Sequence, residues 1–319
     1  MVHPQTEQPF SSRNLVACLR EGARRFGWER RDPAVRARRE SGWLVGTGVA
    51  ASTYPTFRLP GSGTTIQAAA DGQYTVLIGA ADIGTGTWTA LTQIAADALG
   101  APVEAVELQI GDTALPPASM AGGSSGITSW GSTIVAAAEA LHARLDAEHG
   151  GAVPPEGLEV TVDMPANPHA ERFAMHAYGA QFAEVRVRED SGEVRVPRLL
   201  GAFAAGRIIN VKTGRSQLLG GMTWGISMAL HEQTVVDPRF GHPVTQDLAE
   251  YHIAANADVR SVEVHVLDED DPYVNPMGSK GIGELGIVGA AAAIANAVHH
   301  ATGVRVRELP ITLDKLLAQ

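Results

Sequence analysis

One carboxylate near the end of the sequence is placed where it could do chemistry. Glu284 lies within the glycine-rich run Gly278–Gly286 (GSKGIGELG). Glycines on both sides leave room for a ligand beside the side chain, and a carboxylate partly removed from water can act as a general base. The alternative is structural, because an acidic residue at the start of a helix is favoured by the helix dipole. The residues alone give these two interpretations equal weight.

The same run contains the dinucleotide-binding pattern G-x-G-x-x-G over Gly281–Gly286, and Glu308 follows at about the expected spacing. The preceding predicted strand ends near Leu267, and a loop rich in Asp and Pro follows it. The tight strand-to-helix turn of that motif is therefore missing. Glu284 would also place negative charge where a pyrophosphate should lie. We reject the dinucleotide interpretation and keep nicotinamide dinucleotide binding only as a weaker third hypothesis.

Two further loops of small residues stand before predicted helices. They are Asp82–Thr87 (DIGTGT) and Gly122–Gly126 (GGSSG). Backbone N–H groups at a helix N-terminus can hold an anion, and successive small residues can form a nest of such donors. The alternatives are a glycine turn for the first loop and a flexible linker for the second. Spacing alone favours the turn in the first loop and leaves the second undecided.

No set of side chains predicts a metal held by protein ligands or a catalytic nucleophile. Cys18 is the only cysteine, which excludes a disulfide framework, and its neighbours predict the apolar face of a helix. We interpret it as structural. The 11 histidines show no metal-binding spacing and are interpreted as structural or surface residues. The acidic run Asp268–Asp271 could attract a divalent ion, but a solvated loop is the favoured interpretation.

Composition excludes several classes of function. Lys plus Arg number 25 and Asp plus Glu number 35, which gives a formal net charge of −10. That balance argues against a nucleic-acid partner and against docking on an anionic membrane. Hydrophobic residues make up 45% of the chain and charged residues 19%, as in a globular protein. No apolar stretch approaches the ~18 residues of a membrane span. The first residues lack the apolar core of a signal peptide, so we expect a cytoplasmic location, or a periplasmic one if a partner exports the protein.

Hydrophobic periodicity places the motifs among strands and helices that alternate in two rounds. Asp71-Gly72 is a hairpin-turn signal between two of the strands. The predicted strands are residues 42–53, 64–69, 74–79, 103–110, 158–162, 181–188, 194–203 and 262–267. The predicted helices are residues 11–27, a helix that ends at Gly100, residues 128–148, residues 213–230, and one from near Glu284 to Gly303.

This succession predicts an α+β fold made of two intertwined α/β subdomains. We expect an N-terminal helix and connecting arm over residues 1–57 and a first subdomain over residues 58–172. A second subdomain, over residues 173–319, would carry the loop with Glu284. No short-period repeat is visible.

Taken together, the residues resemble a known family. Three runs carry the resemblance most strongly: GRIINVKTGRSQLLGGMTWGISMALHE, DLAEYHIAANADV, and NPMGSKGIGELGIVGAAAAIANAVHHATGVRVRELPITLDKLL. They closely resemble the molybdenum-binding subunit of the xanthine dehydrogenase and aldehyde oxidoreductase family, and most of all the bacterial three-subunit aldehyde oxidoreductases. The resemblance extends over almost the entire chain, and the last run is the most specific. It implies that the two subdomains form the molybdenum-cofactor-binding domain of molybdenum hydroxylases.

The resemblance implies roles for particular residues. The glutamate of the family's G-x-G-E segment is the general base, which carries onto Glu284. The family's molybdopterin is gripped by small-residue loops and a glutamine, so the metal needs no protein ligand. The matching cofactor-binding positions here are Gly84, Thr85, Gly86, Gly123, Ser124, Ser125, Gly126, Gln217, Lys280, Gly281, Ile282 and Gly283.

The resemblance also implies an activity. It is the oxidation of aldehydes or N-heteroaromatic compounds with water as the oxygen source, with molybdenum–molybdopterin as cofactor, in the cytosine dinucleotide form. The alternative is a non-catalytic scaffold or truncated half that keeps the fold and needs another chain to complete the site.

Partner chains are implied as well. Molybdenum subunits of the family are about twice this length, and the chain resembles only their C-terminal half. The resemblance therefore implies an N-terminal half, a 2Fe–2S subunit and an FAD subunit as partners, with a small-molecule substrate. We expect the chain by itself to have little activity, because the missing half would supply further cofactor contacts and part of the substrate pocket.

Overall fold

In the computed structural model, which describes residues 2–317, the chain forms two β-sheets flanked by helices. The strands are β1 (Arg38–Glu40), β2 (Trp43–Pro55), β3 (Gly63–Ala68), β4 (Tyr74–Leu77), β5 (Val106–Gln109), β6 (Leu158–Asp163), β7 (His176–Arg188), β8 (Val194–Ala204) and β9 (Val262–Val266). The helices are α1 (Leu15–Phe26), α2 (Thr87–Leu99), α3 (Gly126–His149), α4 (Val211–Leu230), α5 (Ala290–Thr302) and α6 (Asp314–Leu317). The alternation of helices and sheets confirms the predicted α+β class.

The smaller sheet has the strand order β5-β4-β3-β6. Strands β3 and β4 form the hairpin expected at Asp71-Gly72, where Gly72 adopts a φ of +85° that favours glycine. Strand β5 then pairs in parallel with β4 after the crossover through α2. Helices α2 and α3 cover this sheet, and the side chains between them form one hydrophobic core around Ile66, Leu91 and Ile134.

The larger sheet has the order β1-β2-β7-β8-β9. Strands β2 and β7 pair antiparallel over their whole length, from Trp43 opposite Arg188 to Pro55 opposite His176. The arm expected over residues 1–57 is therefore not a separate connector. Its strand β2 has an almost continuously apolar sequence, and that apolar surface is buried by long-range pairing with β7 inside the second subdomain's sheet.

Helix α5 rests directly on strand β2 because two glycines of the strand carry no side chain. An ideal Cβ on Gly48 would lie 2.2 Å from the carbonyl oxygen of Ala293, and one on Gly46 would lie 2.2 Å from that of Ala297. The helix itself offers mostly alanines to this contact. Small residues on both elements thus let a helix backbone approach a strand backbone closely.

Helix α5 begins later than predicted. It starts at Ala290, and residues before it form turns, so the prediction of a helix from near Glu284 is wrong. The physical reason lies in Gly286 and Gly289. A Cβ on Gly286 would lie 2.6 Å from the carbonyl oxygen of Leu218 in α4, so the segment packs as a tight loop against α4. Strand β7, in contrast, begins earlier than predicted, at His176 instead of residue 181.

Within residues 2–317, no helix combines the length and the apolar character that crossing a bilayer requires.

Candidate functional site

Glu284 lines a cavity of about 380 Å³. Four segments distant in sequence build its wall: the loop before α2, the loop before α3, the start of α4 with the residues that precede it, and the loop before α5. The predicted residues on the wall are Thr85, Gly123, Ser124, Ser125, Gly126, Gln217, Lys280, Gly281, Ile282, Gly283 and Glu284. The structure therefore brings most of the predicted site residues together, while Gly84 and Gly86 lie outside the lining.

The loop before α2 is organised by its own aspartate. Asp82 accepts hydrogen bonds from the backbone N–H groups of Gly84 (2.9 Å), Thr85 (3.0 Å) and Gly86 (3.3 Å). Burial acts to raise the pKa of Asp82, but these N–H donors together with that of Trp88 hold it below its usual value. These backbone donors are thus bonded to a carboxylate of the chain itself, in agreement with the turn that spacing alone favours for this loop. The loop contributes to the wall through Thr85.

The loop before α3 brings a hydroxyl group to Glu284. Ser124 has a φ of +54°, an uncommon conformation for a residue with a side chain, and Gly123 beside it has a φ of +59°. In this conformation Ser124 Oγ donates to Glu284 Oε2 at 3.0 Å and accepts from the backbone N–H of Glu284 at 3.0 Å. The loop is thus an ordered cradle rather than a flexible linker.

Glu284 lies in a loop and does not cap a helix. The residue that precedes α5 is Gly289, and no side chain caps that helix. The carboxylate is instead oriented by two hydroxyl groups, because both Tyr54 Oη and Ser124 Oγ donate to its Oε2. Within residues 2–317, no hydrogen-bond partner is found for the other oxygen, Oε1. Behind the loop, buried Gln181 donates from Nε2 to the carbonyl oxygen of Gly286 at 2.7 Å.

Tyr54 is a site residue that the sequence analysis missed. It lies near the end of β2, 230 residues from Glu284, and no local motif marks it. Its ring packs edge-to-face against Phe57 at 6.3 Å between centroids. Burial, followed by the hydrogen bond to Glu284 and the charge of that carboxylate, raises the pKa of Tyr54 to about 12. The phenol therefore remains a donor at neutral pH.

Replacing Tyr54 by phenylalanine should make the free energy of unfolding fall less steeply as the pH rises above about 10. A phenol whose pKa is raised by folding contributes stability that is fully present below its unfolded pKa, 10.0, and is lost as the pH rises toward about 12. Urea unfolding between about pH 8 and about pH 11.5 measures this. Above about pH 10 the free energy of unfolding should fall more steeply for wild type than for Tyr54→Phe. Parallel curves would contradict the Tyr54–Glu284 contact.

Lys280 lines the cavity, but its ammonium group is paired with buried carboxylates. Its ammonium lies between two carboxylates, 3.2 Å from Glu269 Oε2 and 3.1 Å from Asp271 Oδ2. The side chains of all three are at most 1% exposed. The interpretation of Asp268–Asp271 as a solvated loop is therefore wrong for Glu269 and Asp271, because both carboxylates are buried and share one ammonium group, that of Lys280.

Other cavity residues were also missed by the sequence analysis. The segment before α4 and the first turns of that helix add Arg207, Ile208, Ile209, Asn210, Thr213 and Gly214 to the wall. Arg207 forms an ion pair with Asp97 of α2. The sequence analysis missed these residues because the resemblance singled out only Gln217 in this region. Gln217 Oε1 lies 3.8 Å from the position of a Cβ on Gly283, across the cavity loop.

The remaining chemical candidates are Cys18, a protein-held metal site and the dinucleotide pattern over Gly281–Gly286. Cys18 is fully buried, and burial is the main cause that raises the pKa of its thiol to about 12. Among residues 2–317, no three His, Cys, Asp or Glu side chains are grouped so that they could hold a metal ion. Over Gly281–Gly286 the chain packs against other loops, since a Cβ on Gly281 would lie 2.5 Å from the carbonyl oxygen of Ser124. This glycine therefore serves close loop packing and not a dinucleotide turn.

Comparison with known proteins gives a consistent set of relatives. A family model described as a molybdopterin cofactor-binding domain matches residues 21–166 and, in a second segment, 161–260. The aldehyde oxidoreductase molybdenum-binding subunit PaoC of Escherichia coli K12 is 40% identical over 333 residues, which cover 97% of this chain and 45% of that protein. The probable hypoxanthine oxidase XdhD of the same strain is 30% identical over 352 residues, which cover 98% of this chain and 36% of that protein.

A solved structure agrees with these matches. The aldehyde oxidoreductase from Desulfovibrio desulfuricans is 25% identical and superposes with a TM-score of 0.83 over 98% of this chain and 36% of that protein. The chain thus spans less than half the length of each of these three proteins.

Proposed function

The chain belongs to the molybdenum-binding subunits of the xanthine dehydrogenase and aldehyde oxidoreductase family, and from that premise we propose that Glu284 is the general base of a molybdopterin site in the cavity. The proposed reaction oxidises an aldehyde or an N-heteroaromatic compound with water as the oxygen source. The observation that carries the proposal is that Glu284 lines the same cavity as the Gly-Ser loop and Gln217, although these three segments are far apart in sequence.

The residues present fit a pterin cofactor. Three of the cavity loops are built from small residues. At Gly123, Gly281 and Gly283 no side chain is present, so the backbone itself forms the wall. A Cβ on Gly283 would lie 3.2 Å from Ser124 Oγ, which shows that a side chain at that position would crowd the cradle. Amide, hydroxyl and backbone groups dominate the polar wall. They can pair with the donors and acceptors of a pterin edge without burying a further charge.

Specific residues would hold the cofactor. The amide of Gln217, the hydroxyl of Thr85 and the backbone of residues 123–126 and 280–283 are the groups on the wall that we propose as its ligands. When bound, the cofactor would supply molybdenum as the two-electron acceptor for substrate oxidation. We propose the cytosine dinucleotide form of the cofactor, because the sequence resembles bacterial members of the family most strongly.

The chain's own contribution to the chemistry is proton transfer at Glu284. Hydroxyl groups of Tyr54 and Ser124 hold Oε2, so the carboxylate keeps one orientation. Its other oxygen can then accept the proton that leaves the water-derived nucleophile. Proton transfer by a positioned side chain contributes on the order of a hundredfold to ten-thousandfold in rate. The loop therefore needs to be held in place, which the contacts of Ser124 and Gln181 accomplish.

We propose that other chains complete the enzyme. The partners are a polypeptide equivalent to the N-terminal half of the relatives, an iron–sulfur subunit and an FAD subunit. Support comes from large apolar side chains that face outward on α4 and beyond it, including Val211 (72% exposed), Trp224 (56%), Phe240 (71%) and Leu248 (76%). Apart from its chain neighbours and the backbone of α4 itself, nothing among residues 2–317 lies within 4 Å of the ideal Cβ position of Gly220 on the same helix. Covering such side chains with another chain would remove apolar surface from water.

Cofactor analysis of the assembled protein tests the proposal. The chain, co-expressed with its neighbouring open reading frames, should purify with partner chains and with about one molybdenum and one pterin per copy. Gln217→Leu keeps the side-chain volume and removes the amide, so it should weaken retention of the cofactor by roughly tenfold. Gln73→Leu, at an exposed hairpin residue, is the matched control and should retain wild-type content. A complete assembly without molybdenum or pterin would instead support the non-catalytic scaffold.

A further inference from the structure

A group of fully buried charges lies behind the cavity loop and has no part in the proposed chemistry. Lys280, Glu269 and Asp271 have side chains that are 0%, 1% and 0% exposed. Two carboxylates face one ammonium, so the group carries a formal charge of −1 in the protein interior. Charges in such a place are tolerated only when hydrogen bonds replace the lost water.

The compensating donors come from the segment before α1, about 260 positions away in sequence. Ser12 Oγ donates to Glu269 Oε1 at 2.6 Å, and Asn14 Nδ2 donates to the same oxygen at 2.8 Å. Ser11 Oγ donates to Asp271 Oδ2 at 2.7 Å. Lys280 Nζ in turn donates to Ser12 Oγ. The N-terminal segment therefore supplies hydrogen bonds that replace water around the buried charges.

The same group is fixed to the backbone that leads to Glu284. The N–H of Gly206 donates to Glu269 Oε2 at 2.6 Å. The residues beside Gly206 pair with the loop, since Arg207 N donates to the Gly278 carbonyl at 2.8 Å and Lys280 N to the Ala205 carbonyl at 3.1 Å. Lys280, four residues before Glu284, is thus held through both its backbone and its side chain.

We propose that Ser11, Ser12 and Asn14 and the buried charges of Lys280, Glu269 and Asp271 form a lock that fixes the loop at residues 278–284. Ser12 and Lys280 are then positioning residues for Glu284, which they do not touch. Directional bonds to charges select one register of the loop, which apolar packing would not do as strictly. The locking of the loop stands on these contacts alone. Its consequence for catalysis rests on the proposed function of Glu284.

Hydrogen exchange measured by mass spectrometry on the full chain in its assembly tests the lock. In the double variant Ser12→Ala with Asn14→Ala, two donors to Glu269 are lost while Lys280 stays paired. Backbone amides of residues 278–286 should then exchange roughly tenfold faster or more, while those of β7 and α5 keep their wild-type rates. Ser12→Thr combined with Asn14→Ala returns the hydroxyl donor and should restore slow exchange. Thr6→Ala, at an exposed residue of the same segment that bonds only to His3, is the matched control.

Steady-state kinetics of the same variants reports the consequence for Glu284. The double variant should lower kcat with little change in KM, and Ser12→Thr combined with Asn14→Ala should recover kcat. Unchanged exchange at residues 278–286, or faster exchange by the same factor in β7 and α5, would overturn the lock whatever Glu284 does. Faster loop exchange with unchanged kcat would overturn the positioning role. The role of Glu284 as base is tested separately by its own substitution.

Discussion

Replacing Glu284 by glutamine should reduce turnover of the assembled enzyme by at least about a hundredfold, as expected for removal of a general base. Glutamine has nearly the same shape and can still accept hydrogen bonds from Tyr54 and Ser124, but it cannot take up a proton at neutral pH. Molybdenum and pterin content should therefore remain close to wild type. Steady-state oxidation of an aldehyde and of an N-heteroaromatic compound, normalised to molybdenum, measures the effect.

Glu263→Gln is the matched control for this substitution. Glu263 lies on β9, is ion-paired with Arg198 and is outside the cavity lining, so its variant should keep the wild-type rate. A loss of less than about tenfold in Glu284→Gln, which corresponds to about 1.4 kcal/mol, would contradict the role of Glu284 as base.

Replacing Gly48 by alanine should lower the free energy of unfolding by about 3 kcal/mol, the upper end of the range for overpacked cores. The added Cβ would lie 2.2 Å from the Ala293 carbonyl oxygen and 2.3 Å from the Ala297 nitrogen. These are backbone atoms of α5, so no rotamer change can relieve the contact and the helix must move away from β2. Urea unfolding of the purified protein measures the change.

Gly220→Ala is the control for the same chemical change. Gly220 lies within α4 with open space around it, and alanine is favoured over glycine in a helix by up to about 1 kcal/mol. This variant should be neutral or more stable than wild type. Equal stability of Gly48→Ala and wild type would show that α5 does not rest on the backbone of β2.

Local sequence patterns predicted the elements well where structure is local. The β3–β4 hairpin follows from Asp71-Gly72, and α4 is predicted within two residues of its start. The patterns failed where tertiary packing decides. Strand β2 looks like an arm until its pairing with β7 is known, and the start of α5 is delayed because Gly286 packs against α4. Neither contact has a signal within its own segment.

The candidate site was predictable to a similar degree. The glycines around Glu284 mark a loop that presents a carboxylate, and the small-residue loops mark a wall of backbone groups. Resemblance to the family, which the comparisons confirm, then brought Gln217 into the same site. Tyr54 and Ser12, which accepts a hydrogen bond from Lys280, could not be found this way. They act across 230 and more residues, and nothing in their residue types or spacing distinguishes them from ordinary polar residues.

Anomalous scattering at the molybdenum absorption edge, recorded from crystals of the complete assembly, tests the central claim most directly. We expect one strong peak per copy of this chain, inside the cavity lined by Ser124, Gln217 and Gly283, with the Glu284 carboxylate facing it. A peak elsewhere in the assembly, with Glu284 turned away from the metal, would contradict the assignment of both the cofactor site and the base.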